Sequence, residues 1–205
     1  MMSLHDEYKV DVPEGEHGDC RIERFTVDQD GSVMSVLSSG FGRSVPPGTY
    51  TRLMRGRSLG GTLVMSDTRD EIRDHISVIH RAKGHCLVNG LGIGMVLQAM
   101  ARKEEVTKVT VIEINPDVIA LVGPHYEQRF GDKIEIIEMS AFDYKPPKGI
   151  RYGVVWHDIW DHLCSDNLPE MHKLHRKYGR RTDWQGSWGR GLCERQKRQD
   201  SNHWR

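Results

Sequence analysis

Two groups of residues have the types and spacing to do chemistry. The first is the run Gly90-Leu91-Gly92-Ile93-Gly94. Its glycines let backbone N–H groups approach a ligand closely and leave the N-terminus of the next helix facing an anionic group. Glu113 closes the strand that follows, where a carboxylate can accept hydrogen bonds from both hydroxyls of a ribose. Turn and carboxylate together indicate a nucleoside ligand. The second group is Asp158 and Asp161. Asp158 could take a proton from an amine and Asp161 could hold a cationic acceptor; the alternative is that both are solvated loop carboxylates.

The spacing also excludes ligands. A dinucleotide fingerprint needs a third glycine where Met95 stands, and no Gly-Lys-Ser/Thr follows the turn as a P-loop requires. A G-x-G-x-G turn followed by Glu at the end of the next strand is the arrangement of enzymes that bind S-adenosylmethionine. Glycines between a strand and a helix also serve plain close packing; Glu113 and the later acidic positions favour the ligand site. The cysteines, Cys20, Cys86, Cys164 and Cys193, form no CxxC pair and read as reduced thiols. His172 and His175 lie at i, i+3 on a helix, with His157 and His162 nearby, but no Cys or Glu completes a ligand set, so no metal is expected.

These residues need elements to position them. With 205 residues and 29 basic against 29 acidic side chains, the chain fits one full domain plus a small appendage. A 37% hydrophobic content is lean but globular. No apolar run approaches a bilayer span and residues 1–10 lack a signal-peptide core, so a cytoplasmic protein without a membrane partner is expected. Residues 1–66 read as a small β-rich N-terminal unit, with strands over Arg21 to Val27, Val33 to Leu37, Thr49 to Met54 and Thr62 to Met65 and a Gly/Pro stretch from Gly40 to Gly48. Thr68 and Glu71 form a capping box for a helix carrying Ile72, Ile76 and Ile79.

From there the chain alternates strand and helix: His85 to Asn89, Met95 to Lys103, Lys108 to Ile114, then a helix with Asn115 as N-cap and Pro116 behind it. Strands over Lys133 to Met139 and Tyr152 to Asp158 follow. The class is α/β with a parallel sheet. Asn167 caps a further helix with Leu168, Met171, Leu174 and Tyr178 on one face, and Thr182 to Trp188 is a fifth strand. Residues 67–190 thus form a Rossmann-like domain and 191–205 a basic polar tail. From Met171 to Arg205 ten Lys/Arg face three Asp/Glu, with Trp184, Trp188 and Trp204 interleaved. Such a run can contact nucleic acid, but is more often a solvated face with its tryptophans packed on the sheet edge.

The segment Cys86 to Ile119, CLVNGLGIGMVLQAMARKEEVTKVTVIEINPDVI, resembles the cofactor half of class I S-adenosylmethionine-dependent methyltransferases, most closely the spermidine-synthase-like branch. There a β-rich unit leads through a D-E-x-x-Y-H-E-like segment, here Asp70-Glu71-Ile72-Arg73-Asp74-His75, into the turn. Trp156 to Trp188 is similar to small methyltransferase-like proteins of bacteriophages. The resemblance implies S-adenosylmethionine as cofactor. It places Gly90, Leu91, Gly92 and Gly94 under the methionine part, Glu113 and Ile114 at the ribose, and Ser140, Ala141 and Asp143 near the adenine. Asp158 and Asp161 match the D-x-x-D of aminopropyltransferases, in which the first Asp is the base on the attacking amine. The acidic residue that branch carries in its glycine turn is Ile93 here, and the proline after the second Asp is His162.

The expectation is a methyltransferase of unnamed acceptor on a sheet shortened at its C-terminal end. The alternatives are an aminopropyltransferase, a non-catalytic cofactor-binding or assembly protein, and an enzyme that degrades the cofactor. An open sheet edge covered by a second copy implies a homo-oligomer.

Overall fold

The computed structural model describes residues 4–31, 45–56 and 61–203. The expected strand over Val33 to Leu37, the start of the Gly/Pro stretch, and Trp204 lie outside the described residues. After a short helix α1 (Leu4–Tyr8), four strands form an antiparallel meander: β1 (Gly15–His17), β2 (Cys20–Val27), β3 (Gly48–Arg55) and β4 (Thr62–Ser66). The helix α2 (Arg69–Arg81) leads into the second sheet. There β5 (Gly84–Asn89), α3 (Met95–Ala101), β6 (Val106–Glu113), α4 (Pro116–Phe130), β7 (Ile134–Glu138), β8 (Tyr152–His157), α5 (Leu168–Tyr178) and β9 (Thr182–Ser187) follow in turn. The basic end folds as a helix, α6 (Arg190–His203).

The second sheet runs β7-β6-β5-β8-β9, with every pairing parallel. This is a Rossmann-like α/β sheet, and its order reverses between β5 and β8. Both neighbours of β5 are strands and both its faces are covered, so its last four residues are buried and Cys86, Leu87 and Val88 form an unbroken apolar run. Cys86 and Val88 point into one core with α2, α3 and α4, and Leu87 into the other with α5. The first core also takes Tyr8, Val10, Ile22 and Leu53, so the N-terminal sheet and the parallel sheet share it. Helix α3 is buried on every side. Its one polar member, Gln98, donates to the carbonyls of Tyr8 and Lys9 at 3.3 and 2.9 Å.

Two expected caps are absent. Thr68 precedes α2 without capping it, its hydroxyl pairing instead with that of Ser66 at 3.1 Å. Asn167 turns back to accept from the Cys164 N–H at 2.8 Å rather than capping α5. Asn115 caps α4 as its sequence suggests, accepting from Asp117 N–H at 2.9 Å. Among the described residues no helix is long and apolar enough to cross a membrane.

Candidate functional site

Parallel strands end on the same side, so whatever follows β5, β6, β7 and β8 gathers along one edge. The ladder extends a step past each strand: Gly90 N–H donates to Ile112 O, Met139 N–H to Glu113 O and Asp158 N–H to Asn89 O, each at 2.8 Å. Above this edge lies a cavity of about 310 Å³, at the small end of the ~300–1,000 Å³ usual for ligand pockets. Gly90, Gly92, Glu113, Ile114, Ser140, Ala141, Asp158 and Asp161 all line it. The N-terminal sheet closes it with Leu53, Arg55, Val64 and Met65.

Three expected positions are not on that wall. Leu91 and Gly94 lie in the turn but face away. A side chain at Gly94 would strike the Tyr126 ring, whose hydroxyl donates to Ile93 O at 2.9 Å. Ile93 and Met95 are fully buried beneath it. Asp143 is exposed, outside the wall and close to Lys177. The two remaining glycines are constrained by close approach. Gly90, at φ +100°, leaves no room for a Cβ beside the Asp158 carbonyl, and a Cβ at Gly92, at φ +51°, would meet the Met65 sulfur.

Glu113 is held by three backbone donors. Its Oε2 accepts from Leu91 N–H at 2.7 Å, and its Oε1 from Ile114 and Asn115 N–H, both at 2.9 Å. A carboxylate offers about four acceptor directions, so one stays open toward the cavity and the group also ties the glycine turn to the end of β6. Beside it, Ile114 and Met139, both on the cavity wall, are large apolar side chains left 67% and 41% exposed and give this end an apolar slot.

The other end of the cavity is acidic. Glu71, Asp158, Asp161 and Glu170 line it with Arg55 as the one cation among the described lining residues. Only 19% of the Asp158 side chain is accessible, and its nearest partner, His75 Nε2, is 3.6 Å away, beyond hydrogen-bond reach. Burial, and then the negative charges of Glu71, Asp74 and Glu113, push the Asp158 carboxyl well above the usual carboxylate range. His75 is buried with neither ring nitrogen partnered among the described residues, and burial lowers it to about 3, so it stays neutral. Asp158 is therefore not a solvated loop carboxylate. Asp161 is exposed but accepts from Arg55 Nη1 at 2.7 Å, so the cation it holds belongs to this chain.

Several wall residues carried no assignment from spacing. Glu71 was placed in a capping box; it points into the cavity, and the D-E-x-x-Y-H-E-like segment was the signal available for it. Glu170 is held by the Trp160 indole N–H at 2.8 Å. Arg55 lies on the other sheet, where nothing in the sequence linked it to this edge. Trp188 joins the wall and donates to Asp74 at 3.3 Å, while Trp184 stacks on Trp156, so these two tryptophans pack rather than project. Two of the histidines are engaged elsewhere: His157 with the Asn89 amide at 2.7 Å, His175 with Ser187 and Arg190, each at 2.9 Å.

No protein-family model matches the sequence, and no curated protein does. Solved structures align with part of it. They include a protein from Haemophilus influenzae assigned as a methylase (20% identity, 57% of this chain and 73% of that one, TM-score 0.42). The N-methyltransferase NodS of Bradyrhizobium japonicum aligns at 14% identity, over 54% and 57%, with a TM-score of 0.41. A dimethyladenosine transferase of Plasmodium falciparum aligns at 22%, over 47% and 34%, with a TM-score of 0.37. The aligned stretch thus spans about a third to three quarters of those chains.

Proposed function

We propose that the chain is an S-adenosylmethionine-dependent methyltransferase acting on an amine. The observation that carries this reading is the convergence, in one cavity, of a glycine turn, a ribose-height carboxylate with a free acceptor direction, an apolar slot and a buried carboxyl of raised proton affinity. Gly90 and Gly92 would lie under the methionine portion, Glu113 would accept from a ribose hydroxyl, and Ile114, Met139 and Ala141 would sandwich the adenine.

The cofactor, when bound, supplies a methyl group already activated on a sulfonium. The work left to the protein is to position the acceptor, strip its water and take its proton. Asp158 takes that proton, and its raised pKa matches it to an ammonium better than an ordinary carboxylate would be. Glu71 and Glu170 favour an acceptor that arrives positively charged.

The same acidic wall supports a second reading, aminopropyl transfer from decarboxylated cofactor. Incubating the chain with S-adenosylmethionine and a panel of amines, and separately with decarboxylated cofactor and putrescine, tests both by mass spectrometry. A methylated amine supports the first reading and methylthioadenosine release the second. Tight cofactor binding without any product would leave a non-catalytic binding protein. The reading extends to a homo-oligomer, since β9 pairs only with β8 among the described strands and its outer edge is available to a second copy.

A further inference from the structure

Arg55 is out of character with its surroundings. Every other charged residue on the described cavity wall is a carboxylate, and this arginine reaches that wall from the last position of β3, on the opposite sheet. One arm of its fork is fixed by Asp161. Its Nε is buried, with the Cys20 thiol beside the guanidinium, while 36% of the side chain stays accessible. A guanidinium so held still has terminal N–H donors to offer a carboxylate.

The order of strands fixes which part of an adenosyl ligand would meet it. The apolar slot lies at β7 and β6, the ribose-height carboxylate at β6, the glycine turn at β5, and Asp158 to Asp161 follow β8. Three strand spacings of about 4.8 Å give about 14 Å from one end to the other. A ligand with its base in the slot therefore carries its sulfonium tail toward β8, where Arg55 stands. In S-adenosylmethionine that tail bears an ammonium and a carboxylate; after decarboxylation it bears the ammonium alone.

We propose that Arg55 receives the carboxylate of the cofactor's amino-acid tail and so selects S-adenosylmethionine over its decarboxylated form, with Asp161 as the residue that positions the arginine. This rests on the reading of the cavity as an adenosyl site. It also separates the two chemistries, because an arginine waiting for a carboxylate opposes a bare aminopropyl ammonium by like charge.

Calorimetric titration of the full chain with S-adenosylmethionine, decarboxylated S-adenosylmethionine and methylthioadenosine tests it, in wild type, Arg55→Gln and Arg55→Lys. Wild type is expected to prefer the carboxylated form by about tenfold or more, the scale of a charge-assisted hydrogen bond. Arg55→Gln should abolish that preference and Arg55→Lys should keep part of it. Methylthioadenosine, which has no amino-acid tail, should bind all three proteins alike, and this also reports that the variants are folded. A preference that survives Arg55→Gln, a wild type without one, or an equal loss for methylthioadenosine would each overturn the assignment. If wild type binds none of the three, the adenosyl reading of the cavity fails, and this proposal with it.

Discussion

At the β6–β7 end of the cavity the wall comes from a single sheet and from residues close in sequence to their strands: Glu113 and Ile114 after β6, Met139 to Ala141 after β7. At the β5–β8 end, Asp158 shares the wall with Glu71 from α2, Glu170 from α5, and Arg55 and Met65 from the N-terminal sheet. The first end holds a carboxylate stabilised by three N–H donors. The second collects like charges around a buried carboxyl that receives no hydrogen bond among the described residues. An unpartnered buried carboxyl costs the fold free energy, which is why the proposed function gives Asp158 the work on the ligand. In the proposed function, recognition is built locally and reactivity is assembled from distant parts of the chain.

Gly90→Val should break both ends at once and have the largest effect. Its Cβ would be driven into the Asp158 carbonyl, and φ +100° strains any branched residue. A loss of about 3 kcal/mol or more is expected in denaturant titration. Gly92→Ala should cost less, because the thioether of Met65 can move aside where a backbone carbonyl cannot.

Asp158→Asn should touch only the reactive end. Turnover should fall about a hundredfold with cofactor affinity nearly unchanged, the signature of an interaction used in the transition state. The pH-rate limb set by Asp158 should lie well above the usual carboxylate range and vanish in the variant. Stability gives an independent reading. An acid whose folded pKa is raised destabilises the fold as pH climbs through that value, so Asp158→Asn should be the more stable protein at alkaline pH. An unchanged alkaline melting temperature would contradict the burial argument.

Glu113→Ala should act on the recognition end, weakening S-adenosylmethionine by roughly 1.5–3 kcal/mol. It should also destabilise the free protein, since three backbone donors lose their acceptor. Affinity lost without stability would mean the turn has another anchor.

His75→Leu probes the boundary between the ends. The folded pKa of His75 is about 3 against 6.5 unfolded, so it contributes nothing above pH 6.5 and a growing penalty as pH falls toward 3. The variant's melting temperature should fall less steeply with acid. His157, likewise lowered to about 3, retains part of the slope. The smallest expectation is association: light scattering across a concentration series should show a dimer or larger, and a strict monomer would count against the open edge at β9.

The same contrast governs what the sequence reveals. Strands β5 to β8, the helices between the first three, and β9 are legible because β-branched runs, the Asn115-Pro116 cap and the face of Leu168, Met171, Leu174 and Tyr178 are local signals. Helix α1 and β1, at five and three residues, are too short to show a period. Gly90, Glu113 and Asp158 are legible as cavity-wall positions since each lies at the end of a strand or one residue past it. Arg55, Met65 and Glu170 are not, because only the packing of two sheets and a distant helix brings them to the edge. Gly94 has the right spacing for the ligand and is spent on Tyr126.

The central claim is that an adenosyl ligand lies along the carboxyl edge from β7 to β8. Backbone amide shifts recorded while S-adenosylmethionine is titrated into the full chain test it most directly. The account expects saturable shifts at Gly90 to Gly92, Glu113 and Ile114, Met139 to Ala141, and Asp158 to Asp161, with the basic face of α5 and α6 unmoved. Shifts confined to the groove between Leu168, His172 and Lys197, or none at saturating ligand, would contradict it.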